Sequence, residues 1–172
     1  MEIFEELKFE MQVIEHDTRY YGYYYRISQV LIILICGLLC GLQRIDDIQE
    51  WSQSRPVRAF FEEYFGILKI PSRAQFYNIL GMVDADKFNA SFIRWMNGVL
   101  KLTGKGKTIS LDGKAICGTG KLTDSGIGLH IVSAIVSDFN LTIGSLECGD
   151  KQSEVAAFRE LIDMLDVSGT VI

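Results

Sequence analysis

Apolar residues recur at helical spacing through about the first hundred positions of the chain. Ile3, Leu7, Met11 and Ile14 fall on one face of the first predicted helix, with glutamates on the other side. Further helices are predicted over 45–54, 57–65 and 72–80. A final long helix, capped by Asp84, places six apolar residues on one face: Phe88, Phe92, Trp95, Met96, Val99 and Leu100. The pattern predicts an all-helical first domain.

The most apolar stretch of the chain, 30–42, contains no polar side chain. A membrane span needs about twenty apolar residues, and shorter runs are typical of a buried core helix. We therefore expect the centre of a helical bundle and no membrane segment. A single-pass membrane helix, with the tyrosines at 20–25 as an interfacial belt, is the alternative. Cys36 and Cys40 have the spacing of a metal pair on this helix, but small core residues are the favoured interpretation.

The periodicity changes from about 3.6 to 2 after a glycine- and lysine-rich linker at 103–107. Strands are predicted over 108–111, 129–136 and 141–146, with turn residues at 138–140. A helix follows over 153–165, with an inward face formed by Val155, Phe158, Ile162 and Leu165. Gly169 ends it, and 170–172 opens a fourth strand. The expected order is β-β-β-α-β, with the chain stopping inside its last strand, which we interpret as truncation. The predicted fold class is α+β, with domains at 1–102 and 107–172.

Composition narrows the class of protein further. The chain has 172 residues, of which 48% are hydrophobic, and only two prolines, which excludes a disordered protein. Its four cysteines form no C-x-x-C pair and glutamates precede any apolar run, so we expect a reduced, cytoplasmic protein without a signal peptide. The net charge is −5, yet residues 101–121 carry five lysines around one acid, Asp112. Such a basic stretch around one carboxylate is compatible with a phosphate-handling site.

The dipeptide Asp112-Gly113 admits two interpretations. Asp-Gly is a strong signal for a two-residue hairpin turn. Against the turn, its flanking arms would be only three residues long, and the glycine-rich segment 118–128 is a better place for the chain to reverse. His130 lies in the second predicted strand, where a core or tautomer-fixed histidine is favoured over a metal ligand.

An ordered set of segments resembles the H-repeat-associated class of insertion-sequence DDE transposases. These segments are ISLDGK at 109–114, LHIVSA at 129–134, DKQSEV at 150–155, LIDMLD at 161–166 and GTVI at 169–172. The helical half resembles the domain that precedes that catalytic core, through Ile70-Pro71-Ser72, Phe76, Asp84 and Phe88. Gln152 and Ser153 depart from the Ser-Asn order of the family.

The resemblance implies a truncated RNase H-like domain in which Asp112 is the first acid of an Asp-Asp-Glu triad and a magnesium ligand. In such enzymes two Mg²⁺ ions, about 3.5–4 Å apart, stabilise the attacking and leaving oxygens at a phosphate. The expected partners are transposon-end and target DNA, with a homodimer as a further expectation. The second and third acids of the family are absent here, and Glu154, Asp163 and Asp166 belong to a helix, so we expect no strand cleavage by this polypeptide.

Basic residues supply candidate DNA contacts. Lys107, Lys114 and Lys121 are candidate phosphate contacts, with a solvated basic loop as the alternative. Arg73 opens a candidate recognition helix that also carries Gln75, Tyr77 and Asn78, with an ordinary exposed face as the alternative. The leading hypothesis is a truncated transposase, and the second is a non-catalytic DNA-binding or dimerising remnant that modulates a full-length relative.

Overall fold

The computed structural model describes residues 2–16, 25–103, 107–116, 119, 129–138, 141–148 and 153–171. Most of the tyrosine-rich bend, the linker glycines, Lys121, part of the predicted turn at 138–140 and Ile172 lie outside these ranges. The chain forms two compact units, Met1–Ser91 and Phe92–Ile172. The domain limits predicted from the sequence, 1–102 and 107–172, stay predictions.

The first unit is helical, as the periodicity predicts. Its described residues form five whole helices and the start of a sixth: α1 (Glu2–His16), α2 (Ile27–Leu39), α3 (Ile45–Gln53), α4 (Arg55–Phe65), α5 (Arg73–Leu80) and α6 (Ala85–Thr103). The inward face of α1 is confirmed, because Leu7, Met11 and Ile14 are buried. On α3, Ile48 is 1% exposed and Trp51 is half-buried.

The apolar helix α2 lies at the centre of this unit. It packs against α1, α3 and α5, and most of its residues from Ile27 to Gly37 are buried. Gly37 lets α3 approach closely, since a Cβ at this position would lie 2.8 Å from both Cγ atoms of Ile48. The prediction of a buried core helix is confirmed. Within the described ranges, no helix combines the length and apolar character needed to cross a membrane.

Helix ends follow the capping signals in the sequence. The side chain of Gln75 accepts hydrogen bonds from the N–H and the hydroxyl of Ser72 at the start of α5. The Asp84 carboxylate accepts one from the N–H of Lys87 at 3.1 Å, which caps α6 as predicted. Gly66 ends α4 in the left-handed conformation, with a φ of 66°, and its N–H donates to the carbonyl of Glu62.

In the second unit the described residues form an antiparallel sheet of three strands in the order β1-β2-β3. The strands are β1 (Ile109–Ala115), β2 (His130–Val136) and β3 (Leu141–Cys148). All three predicted strands are confirmed, although β1 extends four residues beyond the predicted end at Leu111. Ala134 pairs with Gly144 and the next residue, Ile135, pairs with Thr142, so the register shift marks a bulge in β3 at Ile143.

Helix α7 (Glu154–Met164) packs on β2 and β3, and its predicted inward face is confirmed only in part. Val155 is 61% exposed, so its assignment to that face is wrong, whereas Phe158 and Ile162 are half-buried and Leu165 is buried as predicted. The fully buried helix positions are Ala157 and Leu161, which the prediction missed. A Cβ added at Gly144 of β3 would lie 3.1 Å from Leu161, which shows how closely the helix approaches the sheet. The small Ala157 and Gly144 permit this approach, and the larger Val155 is turned outward.

The segment after α7 returns to the free edge of β1. Gly169 turns the chain with a φ of 80°, and Val171 then pairs in parallel with Thr108. The N–H of Ile109 donates to the carbonyl of Val171 at 2.7 Å, and the N–H of Val171 donates to the carbonyl of Lys107 at 2.9 Å. The predicted opening of a fourth strand is therefore seen at Val171, next to β1.

Candidate functional site

Asp112 lies inside β1 and not at a hairpin tip. It stands opposite Ser133 in β2, and Gly113 stands opposite Val132, within a run of seven consecutive antiparallel pairs. The hairpin-turn interpretation of Asp112-Gly113 is therefore wrong. Pairing with β2 keeps the backbone extended through a dipeptide whose local preference is a turn.

The carboxylate of Asp112 lies on the sheet face away from α7. Gly113 lies on the face that α7 covers, because the Glu154 side chain packs directly over it and its partner Val132 is buried. Successive strand residues point to opposite faces, so Asp112 points the other way. Asp112 and Ser133 share that face, and Asp112 is exposed. An exposed carboxylate beside a hydroxyl is open to a ligand from solvent.

The candidate lysines differ in their surroundings. Lys114 is exposed and shares the face of Asp112, two residues further along β1. The ammonium of Lys107 lies 3.9 Å from Oδ1 of Asp138, whose Oδ2 accepts a hydrogen bond from the N–H of Thr108. Lys107 is thus partly neutralised, and Lys114 is the better placed of the two to meet a phosphate. Lys121 lies outside the described residues.

Arg73, in the helical unit, is held by contacts within the protein. Its Nε lies 2.7 Å from Oδ1 of Asp46, and its guanidinium stacks over the Tyr77 ring at 5.8 Å from the centroid. Gln75 is also occupied, since it caps α5. Two of the four proposed recognition side chains therefore stabilise the helix, although Tyr77 and Asn78 remain exposed.

A magnesium site is not assembled by the described residues. Asp112 supplies a hard carboxylate oxygen of the kind that Mg²⁺ prefers. In the part of the chain that the structure describes, however, no three His, Cys, Asp or Glu side chains converge as a metal site would require. Cys36 and Cys40 form no such site either, and burial raises the pKa of the Cys36 thiol to about 12, with Cys40 adding to the shift. The interpretation as small core residues is confirmed for Cys36, which is buried, and is wrong for Cys40, which is exposed.

Comparison with known proteins bears first on the helical unit. The family model described as DDE_Tnp_1-associated matches residues 11–96, which is half of the chain. The chain belongs to the DDE_Tnp_1-associated family.

Relatives of this DDE_Tnp_1-associated chain extend the similarity into the sheet. It is 26% identical over 149 residues to the H repeat-associated putative transposase YhhI of Escherichia coli K12, covering 86% of this chain and 39% of YhhI. It is 27% identical over 149 residues to YbfD, an H repeat-associated putative transposase of the same strain, covering 86% of this chain and 58% of YbfD. The chain thus spans between about two fifths and three fifths of these relatives' lengths. No solved structure matches it.

Sequence reasoning missed one cluster in this DDE_Tnp_1-associated protein. Nδ1 of His130 lies 3.9 Å from Oε1 of Glu154, next to Gly113. The three residues come from β2, α7 and β1, and no local pattern joins positions so far apart in the sequence. The only usable signal was the glycine in mid-strand, which often marks a close approach of another group.

Proposed function

We propose that this chain is part of an insertion-sequence transposase of the H-repeat-associated class, in which Asp112 is the first catalytic acid. The observation that carries the proposal is the position of Asp112, exposed in the middle of β1 with a parallel segment returning beside that strand. The similarity to proteins named as transposases supports it. The expected family activity is DNA strand cleavage and transfer.

The connections of the second unit support an RNase H-like domain. Three antiparallel strands are followed by a helix, and the chain then returns parallel to β1 on the edge that β2 leaves free. This is the β-β-β-α-β order that the resemblance implies. A parallel return needs a crossover connection of a dozen or more residues, and α7 supplies it.

The strand register supports a proposal for where a second acid would lie. Val171 pairs with Thr108, and Asp112 lies four residues beyond Thr108. A strand that continues in the same register would bring the position four residues beyond Val171 next to Asp112. We propose this position for the second carboxylate of the site.

We further propose that the 172-residue polypeptide does not cleave DNA by itself. The described residues bring no second or third acid to Asp112, so no reaction step is assigned to a metal ion here. The test is incubation with supercoiled plasmid in Mg²⁺ or Mn²⁺, comparing the natural chain with Asp112→Asn. We expect the plasmid to stay supercoiled with both proteins. Nicking that disappears in Asp112→Asn would contradict the proposed inactivity.

A second candidate function is a non-catalytic DNA-binding or dimerising role that modulates a longer relative. It is favoured by the helical unit, which is compact by itself and contains nearly the whole family match. A gel-shift titration with duplex DNA at several salt concentrations tests the DNA-binding role. We expect salt-sensitive binding at micromolar protein, since phosphate contacts release counterions. Absence of a shift at low salt would remove this role, and light scattering would decide whether the protein is a dimer.

Matched lysine variants would locate the DNA contact. Lys114→Gln should lower the slope of binding against salt by about one, as expected for one lost phosphate contact. Lys87→Gln, which removes an exposed lysine of α6, is the control and should leave the slope unchanged. Equal slopes for the two variants would exclude Lys114 from the interface.

A further inference from the structure

The carboxylate of Glu154 lies against the backbone of β1 at Gly113. A Cβ at Gly113 would lie 3.1 Å from Cδ of Glu154 and 3.2 and 3.3 Å from its two oxygens. These separations are shorter than ordinary carbon contacts, which lie at about 3.5–4.0 Å. A Cβ at this position would require the Glu154 carboxylate to give way by a few tenths of an ångström. Glycine at position 113 therefore admits Glu154, although a glycine in mid-strand normally weakens the strand.

His130 completes this arrangement from the neighbouring strand. Its Nδ1 is buried, has no hydrogen-bond partner among the residues that the structure describes, and lies 3.9 Å from Oε1 of Glu154. Both side chains are about four-fifths buried, with exposed fractions of 21% and 22%. A buried polar nitrogen is unfavourable unless it is paired, so His130 is available to hold the Glu154 carboxylate in place.

The pair supports β1 where the strand has the least other support. Residues Asp112 to Ile116 are exposed, and the only edge contact described for β1 besides β2 is that of Val171, near the start of the strand. Glu154 contacts the strand at the residue that follows Asp112, from the opposite face of the sheet.

We propose that Glu154, held by His130 and admitted by Gly113, is a positioning residue that fixes β1 behind the Asp112 carboxylate. This inference rests on the proposed function, because the position of Asp112 is important only if Asp112 is a catalytic acid. Glu154 itself contacts neither a substrate nor Asp112. It acts by limiting the motion of the backbone that carries Asp112.

A double-mutant cycle tests the contact between Glu154 and Gly113. Gly113→Ala should lower the urea midpoint of the natural chain, because the new Cβ displaces the carboxylate. In a Glu154→Ala background the same change should raise the midpoint, because the space is open and alanine lowers the entropy of the unfolded strand. Equal shifts in the two backgrounds would overturn the proposal.

Amide hydrogen exchange separates positioning from general stability. In Glu154→Gln, which keeps the shape and removes the charge, exchange at Asp112, Gly113 and Lys114 should be about fivefold faster, with β3 unchanged. Glu160→Gln, an exposed α7 acid, is the control and should change neither region. Uniform acceleration across the whole sheet, or none at Asp112, would refute a positioning role. These measurements need no DNA cleavage, so their failure would leave the transposase proposal standing, and Asp112-dependent nicking would not affect them.

Discussion

Replacement of Gly37 by alanine probes the centre of the helical unit. A Cβ at this position would lie 2.8 Å from both Cγ1 and Cγ2 of Ile48, far inside the contact distance of about 3.5–4.0 Å. Ile48 is 1% exposed and branched at Cβ, so its χ1 angle offers little freedom to move aside. The new methyl group must therefore push α2 and α3 apart.

Two opposing effects determine how much Gly37→Ala changes the free energy of unfolding. Overpacking a core lowers it by about 1–3 kcal/mol, and the two short contacts place Gly37→Ala at the upper end of this range. Alanine in a helix interior is favoured over glycine by about 1 kcal/mol. The net loss should be about 2 kcal/mol. With a urea dependence of about 2 kcal/mol per M, the midpoint should fall by about 1 M.

The same substitution should lose most of its cost when Ile48 is replaced by alanine. Ile48→Ala removes both Cγ atoms and leaves only the Cβ, which would lie 3.2 Å from the new methyl group, so the remaining crowding should be offset by the helix-propensity gain of about 1 kcal/mol and the stability should change little. Trp51 fluorescence in a Trp95→Phe background would follow urea unfolding of the helical unit. Gly81→Ala is the control, because its Cβ would meet only an ordinary contact at 3.4 Å and should cost nothing. A loss of equal size in the Ile48→Ala background would refute the close approach of α2 and α3.

Three further predictions concern other parts of the chain. Asn97→Ala should lower the free energy of unfolding by about 2 kcal/mol, because the side chain makes two part-buried hydrogen bonds to the backbone at the end of α7. Urea unfolding measures this loss, and an unchanged midpoint would contradict the prediction. Cys40 is exposed and should react with iodoacetamide at pH 8 in the folded protein, whereas Cys36 should stay unmodified, since burial raises the pKa of Cys36 to about 12. Peptide mass spectrometry measures the labelling of each thiol, and equal labelling would disprove the prediction. Hydrogen bonds from Ser168 lower the pKa of Asp166. These bonds therefore stabilise the folded chain at a pH above the ordinary aspartate pKa, and this stabilisation is lost as the pH falls through the lowered pKa. Ser168→Ala should raise the carbon-13 titration midpoint of Asp166, and an unmoved midpoint would exclude this cause.

The helices and strands could be predicted because their signals are local. The apolar stripe of α1, the caps at Ser72 and Asp84, and the β-branched run of β2 each lie within a few residues of the element they specify. Side-chain periodicity of about 3.6 or 2 follows from backbone geometry alone. The face of α7 was predicted correctly at Leu165 and wrongly at Val155, because the close approach of Leu161 to Gly144 turns the helix so that Ala157 and Leu161 face the sheet.

Only part of the candidate site could be predicted from local signals in the sequence. Asp112 could be singled out as the one acid among the lysines of 101–121, and the resemblance to the transposase family implied the role of a catalytic carboxylate for it. The ion pairs of Arg73 with Asp46 and of Lys107 with Asp138 could not be read from the sequence. Each joins residues about thirty positions apart, whose proximity depends on how the elements pack.

The amino-acid sequence by itself determined the all-helical first part, the β-β-β-α order and the resemblance to a transposase family, because periodicity, capping residues and motif order are properties of the chain. Tertiary structure decided whether Asp112-Gly113 would be a turn or a strand, since the local preference for a turn was overcome only by pairing with β2. It also decided that Val171 returns beside Thr108 and that Glu154 meets Gly113 and His130. These contacts join distant positions, and only the packed sheet and helix bring them together.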